Sequence, residues 1–297
     1  MTPMGQLKAA ARSGLRSVGY ELHKANTASS PFTASEGFYQ AIYGSGAVAE
    51  RRFYNFGSGD WRHPCWTNID YHSAYYAYDG GLIDICWDIS KLTPLPVKEG
   101  SAELAYCSHT VEHLTNEQTD HVFIEMVRAL RKGGVARITT PNIRLYYEAY
   151  KRRDVYFNLH YGHDYPFGAT AGGFRPETMA VWLVNEMATQ LVQSIASANH
   201  KPSYTDVREL DAIFESRPME AALDYFMGQI DYELQREAPG HHVNWWTHEK
   251  LSNRLLAAGF SEVIVSAPGQ SIAAVMRNRR FFDTVMPTAS LFVDAVK

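Results

Sequence analysis

From Arg52 onward the sequence alternates short runs suited to strands with segments suited to helices, and that alternation restricts the chain to few folds. RFYNF is followed by the turn-rich GSGDWRHPCW, then by TNIDY, LIDICWDI and, past a Pro/Gly-rich loop, AELAYCSH. A helix comes next: Thr115 and Gln118 have capping-box spacing, and Val122, Phe123, Met126, Val127 and Leu130 share an apolar face before Gly133 and Gly134 end it. VARITT reads as the following strand, stopped by Pro141. After residue 245 the pattern resumes with a helix over 247–258 closed by Gly259, the strand EVIVSA, a turn at Pro268, Gly269 and Gln270, and the strand SIAAVMR. The fold expected is α/β: a doubly wound sheet, mostly parallel, ending in an antiparallel hairpin, with ligands at the carboxyl ends of its strands.

Two stretches stand outside that alternation. Residues 6–23 read as a helix, the Ser/Thr/Pro-rich TASSPFTAS at 27–35 breaks it, and a second helical piece at 36–48 leads into the first strand. Between about 143 and 245 tyrosine and histidine are plentiful and no strand is evident, while helices fit 176–198, 205–216 and 218–236. In the last of these Met219, Leu223, Phe226, Met227, Ile230 and Leu234 recur at helical spacing, a packing stripe. The expected organisation is a helical lead-in over 1–50, an α/β domain over 51–145 and 246–297, and a helical insertion or lid over 146–245.

With 45% apolar and 20% charged residues the chain is an ordinary globular one, and its formal charge of -4 supplies no basic excess for a phosphate backbone, so nucleic acid is not expected as a partner. Cys65, Cys86 and Cys107 are odd in number and far apart, which fits neither a disulfide framework nor a four-ligand zinc site and points to a reducing, cytoplasmic setting. No run of apolar residues is long enough for a membrane span, and the basic N-terminus lacks the apolar core of a signal peptide. A packed capping helix accounts for it better than a transit peptide does. Oligomeric state is left open.

The chemistry is concentrated in RFYNFGSGDWRHPCWTNIDYHS. Glycine after a strand lets the backbone turn sharply and a ligand come close, and an acid at the end of the next strand accepts hydrogens from a ribose diol. Gly57, Gly59 and Asp70 suit those roles for either a nicotinamide dinucleotide or S-adenosylmethionine. A dinucleotide fingerprint calls for a third glycine, a helix opening directly after the loop and an acid about 20 residues on. Here the third glycine is missing, Pro64 and Trp66 occupy the place of the helix start, and Asp70 follows Gly59 by only 11 residues. A ligand without phosphates is favoured.

The ordered set FGSG, WTNID, CWDIS, CSHTVEHL, ITTPN and LLAAGFSEVIV resembles the class I, Rossmann-like S-adenosylmethionine-dependent methyltransferases of the small-molecule type, over about residues 50–145 and 245–278. The resemblance implies that Phe56, Gly57, Ser58 and Gly59 wrap the methionine part of the cofactor. It implies that Asp70, with Tyr71 beside it, holds the ribose hydroxyls, that Asp88 meets the adenine amino group with Ile89 against the ring, and that Ser108 and His109 border the methyl-transfer cleft. Turn capping by Asp88 and helix capping by Ser108 are the plain alternatives. For an acceptor hydroxyl a histidine is the natural base. The candidates are His113, one turn beyond His109, His163 in NLHYGHDYPFG, and His241 and His242 ahead of the last helix. Their spacing matches no strong metal pattern, so no metal is expected. The function expected is methyl transfer to a small molecule, with oxygen as the acceptor atom and a secondary metabolite or sugar-like compound as the acceptor. The alternatives are a nicotinamide-dependent oxidoreductase and a non-catalytic cofactor-binding partner subunit.

Overall fold

The computed structural model describes residues 36–73, 75, 83–157 and 179–297. The helix expected at 6–23, the break at 27–35 and the histidines at 160 and 163 lie outside the described residues. Seven strands, β1 (Phe53–Phe56), β2 (Thr67–Asp70), β3 (Ile85–Cys86), β4 (Ala102–Ser108), β5 (Leu130–Pro141), β6 (Glu262–Ser266) and β7 (Ser290–Val296), form one sheet in the order β3-β2-β1-β4-β5-β7-β6. Pairing is parallel from β3 through β5, and β7 runs antiparallel to both β5 and β6. The order reverses between β1 and β4, which is where an open α/β sheet leaves a crevice at the carboxyl ends of its strands.

Side chains alternate across the sheet as the pleat requires. Tyr54, Phe56, Ala105 and Cys107 pack under α3 (Asn116–Ala129) and α9 (His248–Ala258), against Val122, Phe123, Met126, Leu251 and Leu255. Phe53, Leu104 and Tyr106 face the other way, onto Trp66, Phe282 and the short helices α1 (Glu36–Tyr43) and α2 (Ser45–Ala49). Each fully buried side chain of this size contributes about 1.5–3 kcal/mol. The capping box is formed: the Thr115 amide donates to Gln118 Oε1 at 2.9 Å, and the Gln118 amide to Thr115 Oγ1 at 3.2 Å. Gly259, at φ +110°, closes α9.

Three expectations are corrected. First, α3 ends at Ala129, and Leu130 already belongs to β5, so Gly133 and Gly134 are strand residues and not a helix stop. A Cβ on Gly134 would lie 2.9 Å from the Arg131 carbonyl and 3.1 Å from that of Glu103, so glycine serves the close approach of β4 and β5. Second, the antiparallel partner of β6 is 290–296. SIAAVMR instead contains a short 3-10 helix at Ala274–Arg277 that buries Val275 and Met276 against Phe282 and Trp66. β7 lies between two strands and is buried on both faces, which its unbroken run SLFVDAV suits. Third, the helix expected at 218–236 is two helices, α7 (Met219–Met227) and α8 (Tyr232–Gln235). Gly228 ends the first, and the Asp231 carboxylate caps the second through the Glu233 amide at 2.9 Å.

Helices α4 (Ile143–Arg152), α5 (Met179–Asn185), α6 (Val207–Ser216) and α7 build a separate apolar cluster. Apart from Ala289, all its buried members come from residues 143–245, including Tyr146, Tyr150, Leu191, Phe214, Phe226 and Trp245. Of the helix expected at 176–198, the described part is α5 followed by a 3-10 turn at Thr189–Leu191. No helix among the described residues is long and apolar enough to cross a membrane.

Candidate active site at the carboxyl ends of β1, β2 and β4

β1 ends at Phe56, and the chain turns through Gly57 at φ +65° and Gly59 at φ +52°, both in the left-handed region that favours glycine. A Cβ on Gly57 would collide with the Thr110 side chain, whose own Cβ would be 2.9 Å away. The glycine therefore lets the segment after β4 approach the segment after β1. Ser58 is buried, and its hydroxyl has no hydrogen-bond partner among the described residues.

Asp70 ends β2 and holds the loop in place: the Gly59 amide donates to Oδ2 at 2.7 Å and the Tyr71 amide to Oδ1 at 2.8 Å. Burial raises the Asp70 carboxyl above its ordinary value, against those two amides, which work to lower it. Each oxygen retains a further lone pair. Trp61, just beyond the glycines, turns away from this loop, donating Nε1–H to the Phe281 carbonyl at 2.6 Å and stacking on His63.

Asp88 and Ile89 follow β3. Asp88 caps the 3-10 turn Ile89–Lys91, accepting from the Ser90 amide at 3.1 Å and its hydroxyl at 2.6 Å, with Lys91 Nζ 3.1 Å away. The turn-capping role weighed from the sequence is thus present, and Ile89 packs on the edge of the first core.

β4 delivers Ser108, hydrogen-bonded to Thr139 at 2.9 Å, and His109, a non-glycine residue at φ +49°. His109 Nε2 lies 2.9 Å from Ser290 Oγ on β7, and its Nδ1 lies 3.1 Å from Glu112 Oε1. Glu112 is 1% exposed, and its Oε2 accepts from the Thr140 hydroxyl at 3.0 Å. Burial works to raise this carboxyl, but the facing His109, His113 and His242 imidazoles outweigh it and hold it below the carboxylate range.

Beside Glu112 the structure brings together two of the four sequence candidates for a base. The His113 and His242 rings meet edge to face with centroids 4.8 Å apart. His113 Nδ1 lies 3.2 Å from the His241 carbonyl, and His242 Nδ1 lies 2.9 Å from the Glu186 carbonyl. A carbonyl only accepts, so Nδ1 donates in both rings, and in the neutral form of each ring Nε2 keeps its lone pair. Burial, with His242 nearby, pushes His113 down to about 4. His241 is lowered to about 4 by burial and contributes to the cluster through its backbone carbonyl. The Val243 amide donates to the Glu112 carbonyl at 2.8 Å, which ties the segment before α9 to the segment after β4. His163 lies outside the described residues.

Sequence reasoning missed Thr110, Thr140 and Ser290, which position the glycine loop, Glu112 and His109. The last two are separated from their partners by 28 and 181 residues and carry no local signal. A separate open cleft of about 600 Å3 lies between α3, α7 and α9, lined by residues such as Asp120, Asp224, Trp245, Lys250 and Arg254. None of the residues that the sequence marks for cofactor or catalysis lines it.

Residues 71–138 match a family described as a methyltransferase domain. Together with the 3-2-1-4-5-7-6 strand order, this defines the chain as carrying a class I S-adenosylmethionine-dependent methyltransferase domain, for which S-adenosylmethionine is the methyl donor. No curated protein matches the sequence. Among solved structures, an S-adenosylmethionine-dependent methyltransferase from Mesorhizobium loti is similar at 16% identity and a TM-score of 0.39, covering 85% of this chain and 96% of that one. A Thermotoga maritima S-adenosylmethionine-dependent methyltransferase, described as a possible histamine N-methyltransferase, is similar at 12% identity and a TM-score of 0.38, over 83% and 82% of the two chains. Human N-acetylserotonin methyltransferase is similar at 12% identity and a TM-score of 0.35, over 99% of this chain and 66% of its own. The class follows from the matched segment and the strand order, not from these likenesses.

Proposed function

We propose that the protein transfers the methyl group of S-adenosylmethionine to a hydroxyl oxygen of a small acceptor, such as a secondary metabolite or a sugar-like compound, with residues 146–245 as the lid that selects it. The observation that carries this reading is the cluster of buried Glu112 with half-buried His113 and His242, which adjoins the glycine loop through Thr110. The residues present fit the cofactor. Ser58 offers a buried hydroxyl with no partner, Gly57 and Gly59 leave the loop open to close approach, and Asp70 stands at the strand end with lone pairs for a ribose diol. Phe56, Tyr71, Asp88, Ile89, Ser108 and His109 complete the surroundings assigned to the methionine and adenosine parts.

When bound, the cofactor supplies an electrophilic methyl on a sulfonium sulfur. The chain's own part would be to hold the acceptor hydroxyl beside Glu112, His113 and His242, where a free imidazole nitrogen would take up its proton. Holding oxygen and methyl in line is the larger part of the protein's task. His163 remains a second candidate base. Free Cys65, Cys86 and Cys107 support a reducing, cytoplasmic setting.

Titration with S-adenosylhomocysteine and NAD tests the cofactor. Asp70→Ala should weaken S-adenosylhomocysteine binding by roughly tenfold or more, as expected for lost charge-assisted hydrogen bonds. His242→Ala should lower turnover on a panel of hydroxylated acceptors and leave that binding alone. Tight NAD binding with none of S-adenosylhomocysteine would replace this reading with the oxidoreductase one.

A further inference from the structure

We propose that Glu112, His113 and His242 bind one divalent transition-metal ion of the zinc class, leaving a coordination position for an oxygen ligand. One ring nitrogen of each histidine and one carboxylate oxygen of Glu112 lie within 4.8 Å of one another. A point between three such atoms is within roughly 3 Å of each, so shifts of about 1 Å reach the ~2.0–2.2 Å of bonds from zinc to nitrogen and oxygen. Two imidazoles with a carboxylate are a recurrent donor set for open metal sites in enzymes.

The surroundings of the three residues supply the stronger argument. A histidine that binds a metal normally donates its other ring N–H to a carbonyl or carboxylate, which fixes the tautomer and the ring plane. Both histidines do this, His113 to the His241 carbonyl at 3.2 Å and His242 to the Glu186 carbonyl at 2.9 Å. With Nδ1 donating in each, neither Nε2 has a proton to offer the other, so the edge-to-face pair is not held by a hydrogen bond between the rings. Glu112 is oriented in the same way: Thr140 holds Oε2, and His109 stands 3.1 Å from Oε1. The Val243–Glu112 backbone bond fixes the distance between the two chain segments that supply the ligands.

One carboxylate and two neutral imidazoles leave a dication with net positive charge, enough to polarise a bound hydroxyl. Binding of the ion stands by itself. Its use rests on the O-methylation reading: with both Nε2 lone pairs on the ion, the ion in place of a histidine base would hold the acceptor oxygen and weaken its hold on the proton, which would pass to solvent.

The test uses the full chain stripped with chelator and titrated with Co2+, with Zn2+ as competitor, while S-adenosylhomocysteine binding is followed by calorimetry on separate samples. The expected result is a visible d–d band that saturates at one Co2+ per chain and is displaced by Zn2+. Glu112→Gln and His242→Gln should each loosen the site by roughly 100-fold or more, at least what loss of an outer partner costs. A wild-type protein with no saturable band, or two variants with wild-type affinity, overturns the proposal. S-adenosylhomocysteine binding without the Co2+ band removes the metal site and leaves methyl transfer standing. The band without S-adenosylhomocysteine binding removes methyl transfer and leaves the metal site.

Discussion

Two clusters of buried polar side chains meet β5 and differ in how completely their hydrogen-bonding groups are matched. The Arg137 guanidinium, 0% exposed, donates to Asp283 at 2.8 and 2.7 Å, to Asp294 at 3.1 Å, to Ser266 at 3.0 Å and to the Ala267 carbonyl at 3.1 Å, which engages every N–H it has. Asp283 also accepts from the Gly269 amide, and Asp294 from the Ser271 hydroxyl. Three residues on, Thr140 holds Glu112, whose neighbours His113 and His242 spend one nitrogen each on a carbonyl and keep the other as a lone pair. The first cluster is closed and binds the segment 267–289 to the sheet. The second keeps acceptors in reserve, and reserved acceptors in a partly buried site are what a cation or an acidic proton requires. Buried polarity alone therefore does not mark function; incomplete matching of it does.

The largest effect expected is at the closed cluster. Arg137→Met leaves two buried carboxylates without their counter-charge and should cost about 3–5 kcal/mol of stability, read as a lower urea midpoint. S-adenosylhomocysteine affinity per folded molecule should be unchanged. A wild-type midpoint would show that the network is not what holds 267–289 down.

The same contrast explains what was legible in the sequence. Local patterns read correctly: RFYNF, TNIDY and AELAYCSH contain the strands Phe53–Phe56, Thr67–Asp70 and Ala102–Ser108, Thr115 and Gln118 form their box, and Gly259 ends its helix. Features decided by distant partners did not. SIAAVMR and SLFVDAV are equally apolar, and only the place between β5 and β6, with Asp294 reaching Arg137 across 157 residues, makes the second a strand. At the candidate site, glycine at 57 was legible, but its reason, the Thr110 side chain, was not. His113 and His242 were visible as histidines; their meeting, and the carbonyls that set their tautomers, depend on tertiary structure.

A buried imidazole sharpens the comparison at intermediate magnitude. His63 stacks on Trp61 and meets Phe281 edge on with centroids 4.6 Å apart, while its Nδ1 accepts from the Cys65 amide at 3.2 Å. Burial pushes it down to about 4. An unfolded chain takes up this proton near pH 6.5 and the folded one only near 4, so the unfolded state binds more protons in between. The stability that His63 contributes is full above pH 6.5 and lost as pH falls toward 4, by up to about 3 kcal/mol. His63→Gln should flatten that part of the stability–pH curve in urea unfolding. Equal slopes in the two proteins would mean that the aromatic box does not hold the ring neutral.

The smallest effect on stability is expected at the open cluster. His242→Gln removes one hydrogen bond to the Glu186 carbonyl, worth about 1 kcal/mol net, and also removes an Nε2 lone pair that meets no donor among the described residues. The two changes oppose each other, so the chelator-treated protein should shift by less than about 1 kcal/mol, in either direction. Chelator matters because a bound ion would stabilise the wild type by mass action. Urea unfolding of Arg137→Met and His242→Gln side by side then decides the comparison. A loss at His242 as large as that at Arg137 would make the second cluster structural, whereas a small shift with lost turnover would mean that its cost to the fold is borne for chemistry.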